Sequence, residues 1–196
     1  MHSYAELIGF IAGTLGIFIG WPQARKVHAE GHGRGVSLSS WAILFIVTTS
    51  WSIYGIRLES PSIVISNVAA SIINFWVVLA LVSNAKKVIL QALFAIAALA
   101  AFLLLAPEVV VSLFLISLMF GQVPQVYASF HNARLGRSSA VSFSSLYIRA
   151  ISLAGWELFG IITHAGVIQL TSAMGLTFTF AIYACELVAK SRLVNS

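Results

Sequence analysis

Asn67, Ser71 and Asn74 recur at spacings of four and seven, so they share one face of a helix. They stand in an otherwise apolar run, where each amide or hydroxyl is costly unless paired or hydrated. Two roles fit them: hydrogen bonds that glue helices together, or the polar wall of a wet cavity. Ser172 and Thr179, seven apart in another apolar run, repeat the pattern. Groups of this kind bind the hydroxyls and carbonyls of a small solute without reacting with it. Reactive constellations are missing. All six acidic residues are glutamates, which argues against most metal sites, paired-aspartate catalysis and nucleotide–magnesium chemistry. A single cysteine, Cys185, permits no intramolecular disulfide and no thiol cluster for zinc. No nucleophile–base pair or metal-ligand set can be assembled, so no enzyme activity, cofactor or resident metal is expected.

Arg149, Glu157 and Glu186 fall inside apolar runs. Arg149 lies little more than a turn from one end of its run and either snorkels out or pairs with Glu186 at a similar depth. Glu157, next to Trp156, is either a hydrated rim residue or a group that titrates or binds a cation. His28, His32 and His131 read as loop residues.

The elements that must hold these groups follow from composition. Hydrophobic residues make up 59% of the 196 and charged residues only 9%, against about a quarter in soluble domains. Such a chain cannot cover itself in water, and the lipid bilayer is its expected partner. At roughly 20 apolar residues per crossing, the sequence predicts seven helices: Ala5–Gln23, Ser40–Ile56, Pro61–Val82, Val88–Leu105, Val109–Tyr127, Ser144–Ile162 and Gly166–Ala189. The fourth is almost pure Ala, Leu, Ile and Phe, as a linker with little to do except cross. No removable signal peptide is expected.

Arg25, Lys26, Arg34, Lys86, Lys87, Arg134, Arg137, Lys190 and Arg192 fall on one side of this bundle, and only Arg57 on the other. By the positive-inside rule the N-terminus is outside and the C-terminus cytoplasmic. The net charge of +5 is spread over short segments beside the membrane and does not form a nucleic-acid patch. The compact chain points to a plasma membrane of the bacterial inner-membrane kind.

An internal repeat organises the spans. Phe18–Ile19–Gly20–Trp21–Pro22–Gln23 returns as Phe120–Gly121–Gln122–Val123–Pro124–Gln125. Val36–Ser37–Leu38–Ser39–Ser40 returns as Val141–Ser142–Phe143–Ser144–Ser145, and Trp51–Ser52–Ile53–Tyr54–Gly55–Ile56 as Trp156–Glu157–Leu158–Phe159–Gly160–Ile161. The offset is 102 residues at the first match and 105 at the others. Residues 1–84 thus form one three-helix unit, 85–107 the linker helix and 108–196 the second unit. The fold class is an all-α membrane protein with 3+1+3 parallel repeats. Transporters so built bind substrate between the repeats near the midplane.

These motifs carry a resemblance over essentially the whole chain. The 3+1+3 pattern, with Pro-Gln near the ends of spans one and five, resembles the PQ-loop superfamily and, within it, the SWEET sugar transporters. Each half is similar to a SemiSWEET protomer, including its Trp-x-x-Tyr/Phe-Gly. The resemblance implies a uniporter working by alternating access, with a mono- or disaccharide as substrate. It implies a sugar pocket of Trp51 and Asn67 in the first half and Trp156 in the second, where Ser172 replaces asparagine; Asn74 and Thr179 extend the polar faces. The tryptophan faces would clamp a sugar ring, whereas the alternative for both is anchoring at the membrane interface. Proline in a helix removes one N–H and frees a carbonyl four residues back, here of Phe18 and Phe120. Pro22, Gln23, Pro124 and Gln125 are therefore candidate hinges or static helix ends, and the resemblance favours hinges. Gly9, Gly13, Gly16 and Gly20 form a small-residue face suited to close helix packing. Two rivals remain. One is a proton-coupled carrier of amino acids, although no acidic residue adjoins Pro22 or Pro124. The other is a receptor like the KDEL receptor. Fused halves could make a pathway within one chain, which is compatible with homo-oligomers.

Overall fold

The computed structural model describes residues 2–30, 37–135 and 142–194. Among these the chain is helical, and seven helices are long and apolar enough to cross a membrane. This is the composition of an integral membrane protein. The helices are α1 (His2–Glu30), α2 (Leu38–Arg57), α3 (Pro61–Leu81), α4 (Ala85–Leu105), α5 (Glu108–Met119), α6 (Val123–Leu135), α7 (Phe143–Thr163) and α8 (Gly166–Val194). A single 3₁₀ turn, Phe120–Gln122, divides the fifth crossing into α5 and α6. Arg34 and Arg137 lie outside the described residues.

The repeated sequence motifs have local physical causes. Ser37 and Ser142, each the serine after valine in its motif, are N-caps whose hydroxyls accept from the backbone N–H of Ser40 and Ser145. At the other ends of α2 and α7, Glu59 and His164 adopt left-handed φ of 53° and 55°. The following N–H groups, of Ser60 and Ala165, return to the carbonyls of Gly55 and Gly160 at 3.0 Å in each case. Neither glycine can be replaced without moving backbone: a Cβ on Gly55 would stand 3.0 Å from Val64 N, and one on Gly160 2.9 Å from Gln169 N.

Packing then builds two groups of helices. α3 packs against both α1 and α2, and α8 against both α7 and the α5–α6 pair. The groups meet where α1 runs antiparallel to α7, and more lightly where α2 touches α5. α4 packs on α2 and buries only Leu103, leaving Phe94 and Leu105 77% and 83% exposed, as expected of a helix surrounded by lipid.

α1 fits between α3 and α7 because of its glycines. A Cβ on Gly9 would lie 2.3 Å from Ser62 Oγ, and one on Gly13 2.3 Å from Ser66 Cβ and 3.4 Å from Trp156 Cζ2. Ser152 of α7 donates to the Ala12 carbonyl at 2.8 Å across this seam. Contact then fades: Gly16 has only Ser152 Oγ at 3.6 Å, and Gly20 has nothing within 4 Å. α1 and α7 therefore diverge from the side of the α2–α3 and α7–α8 turns (the turn side) toward the side of the basic connections (the basic side). The apolar clusters agree. One cluster, including Ala5, Tyr54, Ile63, Leu115, Phe159 and Ile168, joins both groups at the turn side. The other, Ala24, Val27, Trp41, Val77 and Val78, involves only α1, α2 and α3 at the basic side.

Candidate functional site

Between the two groups lies a cavity of about 130 Å³. α2 supplies Trp51 and α3 supplies Ile63 and Asn67; α5 adds Met119, α7 Leu153 and Trp156, and α8 Ile168, Thr171 and Ser172. Trp51, Asn67, Trp156 and Ser172, singled out in the sequence, are thus brought together. The two tryptophans have matching supports. Trp51 meets Tyr54 edge-on at 5.8 Å and Trp156 meets Phe159 at 5.6 Å, each partner one turn nearer the turn side. Tyr54 and Phe159 are both only 2% exposed and close the floor beneath the indoles.

The polar wall is small but aimed. Asn67 spends its amide N–H on the Ile63 carbonyl at 2.9 Å, in the assigned amide orientation, which leaves Oδ1 to accept. Thr171 Oγ1 donates to the Val167 carbonyl at 2.8 Å and keeps its lone pairs. Among the described residues Ser172 Oγ has no protein partner, so it can donate and accept. Aromatic walls with a few hydroxyl- and amide-bearing groups suit a small polar solute with an apolar face.

Two of the residues expected in this pocket lie elsewhere. Asn74 donates to Thr48 Oγ1 at 3.2 Å, and Ser71 donates to the same oxygen at 2.8 Å. Thr48 itself donates to the Leu44 carbonyl at 2.9 Å, so its hydroxyl is fully used. The polar face of α3 is therefore divided: its basic-side part glues α3 to α2, and only Asn67 reaches the cavity. Thr179 is 1% exposed and bonds back to the Gly175 carbonyl at 2.7 Å, two turns along α8 from Ser172 and not among the residues lining the cavity. Asn74→Ala is accordingly expected to cost about 1 kcal/mol of stability, within the range for interhelical bonds in membranes, with little effect on solute affinity. Thermal denaturation in detergent beside a binding isotherm checks this.

One expectation for the charged residues, the Arg149–Glu186 pair, is not met. Arg149 Nη2 donates to Gln122 Oε1 and does not meet Glu186. Leu153 packs on Gly175 where α7 and α8 run antiparallel, which sets Arg149 level with about Thr179. Glu186 is two turns further along, roughly 10 Å at 1.5 Å per residue. Among the described residues, one carboxylate oxygen each of Glu157 and Glu186 is buried without a partner.

The two Pro-Gln motifs are not alike. Pro22 sits inside an unbroken α1, whereas Pro124 follows the 3₁₀ break. Beyond Pro22 the helix is held to α3: Ala24 and Val27 are buried, and the His28 ring stacks on Trp76 at 3.7 Å with Nε2 3.0 Å from the Trp76 carbonyl. His28 is thus a helix residue, as is His131, and His32 lies outside the described residues. Gly121, by contrast, borders open space, and Pro124 and Gln125 are exposed. The Gln23 side chain lies outside the described residues. Pro124→Ala, which restores an N–H and favours a straight helix, is expected to slow turnover about tenfold, or about 1.4 kcal/mol on the barrier. Pro22→Ala is expected to do less. Comparing kcat with affinity in both variants checks the difference.

Sequence reading missed a cluster at the turn side. Tyr54 donates to Glu108 Oε1 at 2.8 Å, and Arg57 Nε pairs with Glu108 Oε2 at 3.0 Å. Arg57 Nη1 also donates to the Leu103 and Ala106 carbonyls at the end of α4. The cluster ties α2 to α4 and α5, and its partly exposed ion pair contributes at most about 1 kcal/mol. The available signal was Arg57 itself, the lone basic residue on its side. Glu6 stands 102 residues before Glu108 but binds within its own group, to Ser60 Oγ at 2.8 Å and Ser62 N–H at 2.7 Å. The difference follows from sequence, since Phe159 has no hydroxyl where Tyr54 has one.

No family model, curated protein or solved structure matches the chain.

Proposed function

We propose that this chain is a carrier for a small hydroxylated solute of the sugar type, working by alternating access between two three-helix halves. The observation that carries the proposal is the meeting of Trp51 and Asn67 from one half with Trp156 and Ser172 from the other around one cavity. The repeat reading is supported by the matching caps and turns, and by the placing of α3 and α8 in the middle of their groups. Both are what a SWEET-like member of the PQ-loop superfamily would need. The size of the cavity, below the roughly 300–1,000 Å³ of drug-sized pockets, favours a monosaccharide or smaller solute over a disaccharide.

The conformation described fits the arm of the cycle that is open toward the basic side. The Tyr54–Glu108–Arg57 cluster and the Phe159–α1 contact hold the turn side shut, while Gly20 and Gly121 border open space. A weak latch suits a contact broken in every cycle. By the positive-inside rule the open side is cytoplasmic and the N-terminus outside, in a plasma membrane.

Uptake of labelled monosaccharides into proteoliposomes, with and without a pH gradient, tests the reading. Saturable equilibration indifferent to the gradient is expected; absence of uptake across the panel would refute a carrier. A proton-coupled carrier is the second reading, favoured by the carboxylate oxygens of Glu157 and Glu186 that have no partner among the described residues. It requires gradient-driven accumulation in the same assay.

A further inference from the structure

Arg149 stands one turn from the cavity. It shares a face of α7 with Leu153, one turn nearer the basic side, and Leu153 lines the cavity. Gln122 stands in the same relation to Met119, another lining residue, three positions along the fifth crossing. The Arg149–Gln122 bond therefore runs from α7 to the 3₁₀ break, one turn from the cavity on the way to the basic side. α8 packs against α7 and against α5 and α6, which flank the break.

The guanidinium has no counter-charge there. Its one acceptor among the described residues is a neutral amide oxygen. Glu186 is two turns away along α8, and Glu157 is eight residues along α7, roughly 12 Å by helical rise. A guanidinium is permanently charged and offers five donors, and at membrane depth such a group is costly without an anion. The packing of a three-helix unit does not demand it. The corresponding residues of the first half, Leu44 and Gly20, are apolar, yet α3 packs on α1 and α2 just as α8 packs on its neighbours.

Resting on the carrier reading above, we propose that the solute is an anion, a small hydroxylated carboxylate of the sugar-acid class. Its hydroxyls are read by Asn67, Thr171 and Ser172 between the tryptophans, and its carboxylate takes Arg149 from Gln122. A carboxylate matches the guanidinium fork with two oxygens, through bonds roughly twice as strong as those to a neutral acceptor. Losing Arg149 also frees Gln122, the last residue of the 3₁₀ turn and two before Pro124. Seating the anion and releasing the break in the fifth crossing become one event.

Uptake of labelled gluconate and glucose by wild type, Arg149→Gln and Arg149→Lys in proteoliposomes tests this. Binding of both solutes to the purified proteins is followed in parallel by tryptophan fluorescence. Wild type is expected to prefer gluconate by at least about tenfold. Arg149→Gln should lose that preference through weakened gluconate binding, and Arg149→Lys should keep part of it. Equal handling of acid and neutral sugar by wild type would overturn the proposal and leave the carrier reading standing. So would an equal loss of both in Arg149→Gln, which is the mark of a brace. Wild type carrying neither solute nor any other in the panel would overturn the carrier reading as well. If Arg149→Gln does not fold, the wild-type preference decides alone.

Discussion

Trp156→Ala is expected to abolish saturable uptake while leaving a folded, membrane-inserted chain. The indole forms one wall of the cavity, backed by α1 at Gly13 and held edge-on by Phe159. Stacking a solute's apolar face on it is worth about 1.5–3 kcal/mol by burial, or about 10- to 100-fold in affinity. The vacated volume also removes the geometry that orients the hydroxyls toward Ser172 and Thr171. Trp51→Ala, across the cavity, should behave alike. Asn67→Ala removes the free Oδ1 and should cost about tenfold, the worth of one well-placed hydrogen bond. Uptake kinetics beside size-exclusion profiles decide the matter. Normal uptake in both tryptophan variants would mean that the rings are interface anchors and that the cavity is not the solute site.

Gly13→Leu is expected to do most harm to the fold itself. The Cβ alone would fall 2.3 Å from Ser66 Cβ and 2.7 Å from Ser66 Oγ, so α1 must move off α3 before the rest of the side chain is placed. Overpacking of this kind costs about 1–3 kcal/mol or more, and here it also pushes on Trp156. The effect should be graded along the helix. Alanine is expected to be harmful at Gly9 and Gly13, mild at Gly16, where the added Cβ would make ordinary contact with Ser152 Oγ at 3.6 Å, and harmless at Gly20, which has no neighbour within 4 Å. Melting temperatures of the four alanine variants measure this, and equal tolerance at all four would contradict the wedged placement of α1.

What could be read from the sequence was what local chemistry imposes. Apolar runs set the seven crossings and the paired motifs mark the repeat, whereas the grouping of Trp51, Asn67, Trp156 and Ser172 in one pocket is what the family resemblance implies. What could not be read depends on rotation and register between helices. Asn67 and Asn74 lie on the same face of α3, and nothing in their spacing says that α2 covers one and leaves the other to the cavity. Measured from the ends of their apolar runs Arg149 and Glu186 come out level, but α8 extends to Val194 and sets them about two turns apart. The Pro-Gln motifs read as equivalent. Their difference comes from tertiary neighbours, with Trp76 gripping α1 beyond Pro22 and Arg149 holding the turn before Pro124. The Tyr54–Glu108–Arg57 cluster joins residues 51 and 54 positions apart, beyond any local pattern.

Access to the cavity from each face of the membrane tests the central claim most directly, and it needs no knowledge of the solute. Cys185→Ser removes the single cysteine, and Ser172→Cys then places one thiol on the cavity wall. Its reaction with a small, membrane-impermeant thiosulfonate would be measured in sealed vesicles of both orientations. Reaction from the basic side alone is expected, with reaction from the turn side appearing once Glu108→Gln weakens the latch. A thiol unreactive from both sides in both backgrounds, or reactive from the turn side alone, would contradict alternating access through this cavity.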